Sequence, residues 1–70
     1  MTVLGDNIKK YRKLRGLTQV DVAIKLGITG NASVSDWERG VYEPNISSLV
    51  KLADILGVSV YDLVEEDEDV

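Results

Sequence analysis

TQVDVAIKLGITGNASVSDWERG, residues 18–40, holds two short helical patterns separated by a polar turn. Thr18 reads as an N-cap, with the carboxylate of Asp21 three residues on, a variant of the capping box. Val20, Ala23, Ile24 and Leu26 follow at helical spacing and form the expected inward stripe, while Asp21 and Lys25 make an exposed i,i+4 pair. Gly27 stops this helix. Beyond the turn Thr29-Gly30-Asn31, Val34 and Trp37 are three apart and face inward. That leaves Asn31, Ser33, Ser35 and Asp36 outward, and Arg39 and Gly40 close the second helix.

On the N-terminal side, Leu4, Ile8, Tyr11 and Leu14 recur at steps of four and three, which is helical spacing. Lys9, Lys10 and Lys13 point away from this stripe. Arg12 lies four residues after Ile8 and so rides on the apolar face, where a charge needs a partner. Gly16 is the stop. On the C-terminal side, Val41 to Glu43 is a loop and Pro44 bars helix until after itself. Asn45 caps a helix carrying Ile46, Leu49, Val50, Leu52, Ala53 and Leu56, with Gly57 as its stop. Ser59 and Asp62 repeat the capping-box logic and start a last turn through Leu63 and Val64. The expectation is an all-α fold of five helices near residues 4–15, 18–26, 31–38, 46–56 and 60–64, with no strand.

Composition narrows the chemistry. Seventy residues hold one domain, expected over 1–64, followed by an acidic tail at 65–70 that is too polar to pack. There is no cysteine and no histidine, which removes disulfides, thiolate metal sites and the commonest general base together. No cofactor and no metal site are expected. No apolar run approaches the roughly 18 residues of a membrane span, and the first residues lack the pattern of a secretory signal. The expected setting is cytoplasmic, with no membrane partner and no small-molecule substrate. A net charge of −4 argues at first against nucleic acid, but five of the twelve acids fall within residues 65–70. Residues 1–64 carry eight basic and seven acidic groups, a net of +1, and five of the basic groups fall within residues 9–15.

Two short helices around a glycine-containing turn, the second with small polar residues outward, is what a helix-turn-helix requires. The second helix must enter a major groove roughly 12 Å wide, so its outer face needs short donors and acceptors. Asn31, Ser33 and Ser35 meet that need, and both helix N-termini present free amides to phosphates.

The chain also resembles the phage repressor and Cro-type (XRE-like) helix-turn-helix family from Leu4 to about Val64. The resemblance rests on four elements in order: IKKYRKLRGLTQ (8–19), AIKLGI (23–28), VSDWERG (34–40) followed by Pro44, and LVKLADILGVS (49–59). It implies that Gln19, opening the second helix after Thr18, touches phosphate and sometimes a base. It implies a buried ion pair between Arg12 and Glu38. Asn31, Ala32, Ser33, Ser35 and Asp36 fall on base-reading or phosphate-facing positions, and the loop with Tyr42 and the Asn45 cap on a segment that follows the DNA backbone. Counting back from Glu38, the family's cap for the recognition helix falls on Gly30, one residue too far from Gly27. Either the turn is longer, or the helix begins early with Thr29 as its cap. The recognition helix also carries an acid, Asp36, which either accepts from a cytosine amine or weakens DNA binding.

The basic run of helix 1 is read as a solvated face, Trp37 as core, and Tyr42 as either packing filler or phosphate donor. The leading function is a sequence-specific transcriptional regulator, a repressor, that binds double-stranded DNA as a homodimer; Val60, Tyr61, Leu63 and Val64 are the candidate dimer surface. A protein-interaction module of antitoxin or adaptor type is the alternative, favoured by the acidity and by Asp36. An enzyme is the weakest case, for want of histidine, cysteine and pocket volume.

Overall fold

The computed structural model describes residues 2–66. Five helices follow one another: α1 (Val3–Leu14), α2 (Gln19–Leu26), α3 (Ala32–Arg39), α4 (Ile46–Leu56) and α5 (Val60–Val64), with no strand among the described residues. The caps account for most of these boundaries. Thr2 accepts from the Gly5 amide at 2.9 Å, which starts α1 a residue earlier than its apolar stripe. Thr18 with Asp21, and Ser59 with Asp62, form complete capping boxes, and Asn45 Oδ1 accepts from the Ser48 amide at 2.8 Å.

The core is Ile8, Val22, Ala23, Val34, Leu52, Ala53, Leu56 and Leu63, each nearly or wholly removed from water. Tyr11, Leu26, Leu49 and Trp37 pack around it. Trp37 therefore closes the edge of the core rather than filling its centre. The expected stripes need correction at their ends. Leu14 is 74% exposed, Val20 48%, Ile24 69%, Ile46 77% and Val50 54%. Helix α2 is the instructive case, because Val20/Ile24 and Val22/Leu26 are rival i,i+4 pairs about 200° apart on the wheel. Ala23 sits between them, and the structure buries Val22 instead of the expected pair.

Two polar contacts lock the ends of the bundle. Asn7, 5% exposed, turns its side-chain amine onto the carbonyls of Leu63 (2.9 Å) and Glu65 (2.8 Å), with Asp62 at 3.3 Å, and so caps α5 from α1. Arg15 Nε donates to the Leu56 carbonyl at 2.8 Å and caps α4. The basic run of α1 is thus not uniformly solvated: Arg12 is buried, Arg15 is engaged, and the Lys10 ammonium lies 4.7 Å from the Tyr11 ring centre. Gly5 is where α1 crosses α3 closely. A Cβ there would stand 2.5 Å from the Trp37 carbonyl, so only glycine fits. Of the acidic tail, Glu65 and Glu66 are exposed, and the expectation for 67–70 lies outside the described residues.

Candidate nucleic-acid interface

The turn between α2 and α3 takes the first of the two expected courses, the longer turn, and Thr29 is not the cap. Gly27 and Gly30 both take left-handed backbone, at φ 77° and 71°, and bracket Ile28 and Thr29. The helix then begins late, at Ala32, with Asn31 as its N-cap at φ −107°, ψ 9°. The extra residue is absorbed in the turn. The Asn31 side chain caps nothing, because its amine donates to Gln19 Oε1 at 2.8 Å. No side chain covers the first amides of α3, and these keep the unsatisfied donors that every helix start carries.

Behind this surface runs one continuous polar chain. Arg12 meets Glu38 in a two-point pair, Nε to Oε2 at 2.6 Å and Nη2 to Oε1 at 3.0 Å, and its Nη1 donates to the Leu17 carbonyl at 2.8 Å. Arg12 is 8% exposed and Glu38 5%, so the pair that the resemblance implied is buried. Its hydrogen bonds and the facing carboxylate raise the already high pKa of the guanidinium against the opposing effect of burial. Gln19 Nε2 donates to Glu38 Oε1 at 3.1 Å while its Oε1 accepts from Asn31. The chain Arg12–Glu38–Gln19–Asn31 ties α1, α2 and the start of α3 together. Every buried side-chain polar atom among the described residues is satisfied.

The remaining expected site residues are distributed as follows. Ala32 and Ser33 are exposed on the first turn of α3, and Ser35 and Asp36 are half-buried. Asp36 does not stand alone: its Oδ1 accepts from Arg39 Nη2 at 2.6 Å one turn on. Thr18 spends its hydroxyl on the Asp21 amide at 3.0 Å, and Asn45 spends its carbonyl on the cap of α4. Thr18 also lowers the pKa of Asp21, chiefly through its backbone amide and then through its hydroxyl. Tyr42 is 67% exposed, so the packing-filler alternative falls. No hydrogen bond joins Tyr42 or Asn45 to the α2–α3 unit among the described residues. Gln19 and Ser35 share a groove of about 380 Å³ with Lys9, Lys13 and Arg39, three cations that the sequence reading left out of the site. Leu63, expected at a dimer surface, is fully buried, whereas Tyr61 and Val64 stay exposed. No helix is long and apolar enough to cross a membrane, and no cluster of metal-binding side chains occurs among the described residues.

The sequence model of the helix-turn-helix family matches residues 8–63. The chain belongs to the helix-turn-helix family. This helix-turn-helix chain is 34% identical over 66 residues to an uncharacterised transcriptional regulator of Methanocaldococcus jannaschii, covering 94% of this chain and 98% of that protein. It is 42% identical over 67 residues to the immunity repressor protein of Bacillus phage phi105, covering 96% of this chain and 45% of the repressor. Of several further regulators from Bacillus subtilis it spans about half the length. Its structure is similar to that of the P22 c2 repressor protein in complex with a synthetic operator, with a TM-score of 0.85, 30% identity, and coverage of 96% of this chain and 100% of that one. The expected repressor-type fold is the observed one.

Proposed function

We propose that this chain is a sequence-specific DNA-binding regulator of transcription, a repressor, that reads a half-site in the major groove with α3. The observation that carries the reading is the α2–α3 unit. Ala32 and Ser33 stand outward on the first turn of α3, and the Arg12–Glu38–Gln19–Asn31 chain fixes α3 against α1 and α2. The relatives named as repressors, and the similar repressor structure that holds an operator, support it. Asp36, which favoured a protein-interaction module, has its charge met by Arg39. That removes one of the two reasons for the alternative, the other being the overall acidity.

In this reading Ser33, Ala32 and the side-chain carbonyl of Asn31 face base edges, Ser35 and Asp36 flank them, and Gln19, Thr18, Tyr42 and Asn45 lie toward phosphates. A module this small reads one half-site, so two copies bind a two-fold site, with Tyr61 and Val64 the exposed candidates for their contact. The regulator works in the cytoplasm, without a cofactor. Selection from randomised duplexes, followed by binding of the variants, tests the assignment. Ser33→Ala should cost about 1–3 kcal/mol at the selected site and little on scrambled duplex. Gln19→Ala should weaken both alike, since a phosphate contact carries no sequence. Equal affinity of every variant for selected and scrambled duplex would refute the base-reading role of α3.

A further inference from the structure

The groove that Gln19 and Ser35 share with Lys9, Lys13 and Arg39 draws α1 into the interface. Lys9 and Lys13 lie four residues apart, on one face of α1, and the groove brings them beside Gln19, the first residue of α2, and Ser35, Glu38 and Arg39 of α3. Both lysines are exposed, and neither makes an ion pair among the described residues. The charges lining the groove do not balance. Arg12 and Glu38 neutralise each other through their buried pair and Arg39 is paired with Asp36, which leaves Asp6 as the remaining acid against Lys9 and Lys13. Arg39 gives one nitrogen to Asp36, but its side chain is 63% exposed and a guanidinium has five N–H donors to spend.

A concave surface of excess positive charge, bordered by Ser35 of the recognition helix, suits a phosphate. We propose that this groove seats a backbone phosphate of the duplex beside the bases that α3 faces, held by Lys9, Lys13 and Arg39. Helix α1 is then a third element of the DNA interface, and its lysines are not merely a solvated face. The proposal rests on the duplex-reading function above. It also accounts for how a chain with a net charge of −4, and with an acid, Glu43, in its 41–43 loop, meets a polyanion: the phosphate charge is answered at the α1 side of the site.

The test is the salt dependence of binding to a mixed-sequence duplex, compared between Lys9→Gln/Lys13→Gln and a control, Lys25→Gln/Lys51→Gln. The control removes the same charge from exposed lysines that do not line the groove. Each neutralised phosphate contributes about 0.9 to the slope of log affinity against log salt. The groove variant should flatten that slope by about 1 and lose most affinity at low salt, while the control keeps the wild-type slope. The urea midpoints of both should match wild type, because the altered side chains are exposed. Equal flattening in the two variants, or none in either, would overturn the proposal and leave duplex binding intact. A wild-type chain with no salt-dependent duplex binding would overturn both the proposal and the function beneath it. Saturation of the groove by millimolar inorganic phosphate at matched ionic strength, with the duplex slope unmoved by the groove variant, would assign it to a free anion instead.

Discussion

Arg12 and Glu38 meet where water hardly reaches, and among the described residues each is the other's only ion-pair partner. Removing one leaves a buried charge uncompensated, so Arg12→Ala should cost on the order of 3 kcal/mol, far beyond any surface pair. A double-mutant cycle with Glu38→Gln, read by urea melts, should show strong coupling, and additive effects would mean the pair does not act as a unit. Because Gln19 hangs on Glu38 and Asn31 on Gln19, the cycle also probes the placement of the base-facing surface. Asp21 gives a second residue-level test. Its pKa is lowered in the fold by the Thr18 amide and hydroxyl, so its charged form stabilises the native state. That contribution is full above the unfolded value of about 3.9 and is lost as the pH falls through the lower folded value. Asp21→Asn should therefore be less stable than wild type near neutral pH, and the gap between their urea midpoints should close below about pH 4. Arg12 was legible because Ile8 fixed its face, but its partner came from the resemblance. Asn7 was missed although Leu4, Asn7 and Tyr11 share the spacing of the stripe; a polar residue on an apolar face was the available signal.

At the scale of elements, start and stop signals proved more informative than apolar periodicity. Thr18, Asn45 and Ser59 cap the helices they were expected to cap, and Gly27 and Gly57 end them, because caps are local chemistry between residues three or four apart. Which face of a short helix is buried is decided by its neighbours. In α2, with eight residues and two competing apolar pairs, the sequence offers no means of choosing between Val20/Ile24 and Val22/Leu26. The structure chooses, and the choice is testable: Val22→Ala should cost about 2 kcal/mol in a urea melt, whereas Ile24→Gln should stay within about 0.5 kcal/mol of wild type. A reversed order would restore the original stripe. The start of α3 was legible to within a residue, but its cap was not, since the side chain of Asn31 turns back to Gln19 instead of capping its own helix.

Across the whole molecule, charge is unevenly distributed along the sequence. The acids concentrate at residues 65–69, while Lys9, Lys13 and Arg39 gather at the groove beside α3. Net charge alone therefore misleads about partners; the position of each charge relative to the α2–α3 unit carries the information. That unit sits on the α1 and α4 framework through one core and one polar chain, which fixes its orientation before any duplex arrives. The central claim is that this preset surface reads DNA, and amide chemical-shift mapping tests it most directly. On titration with a duplex carrying the selected site, the largest shifts should fall at the amides of Gln19, of residues 31–36 and of Tyr42, Glu43 and Asn45. Recognition-helix amides that stay unmoved at saturating duplex, whatever happens elsewhere on the chain, would contradict it.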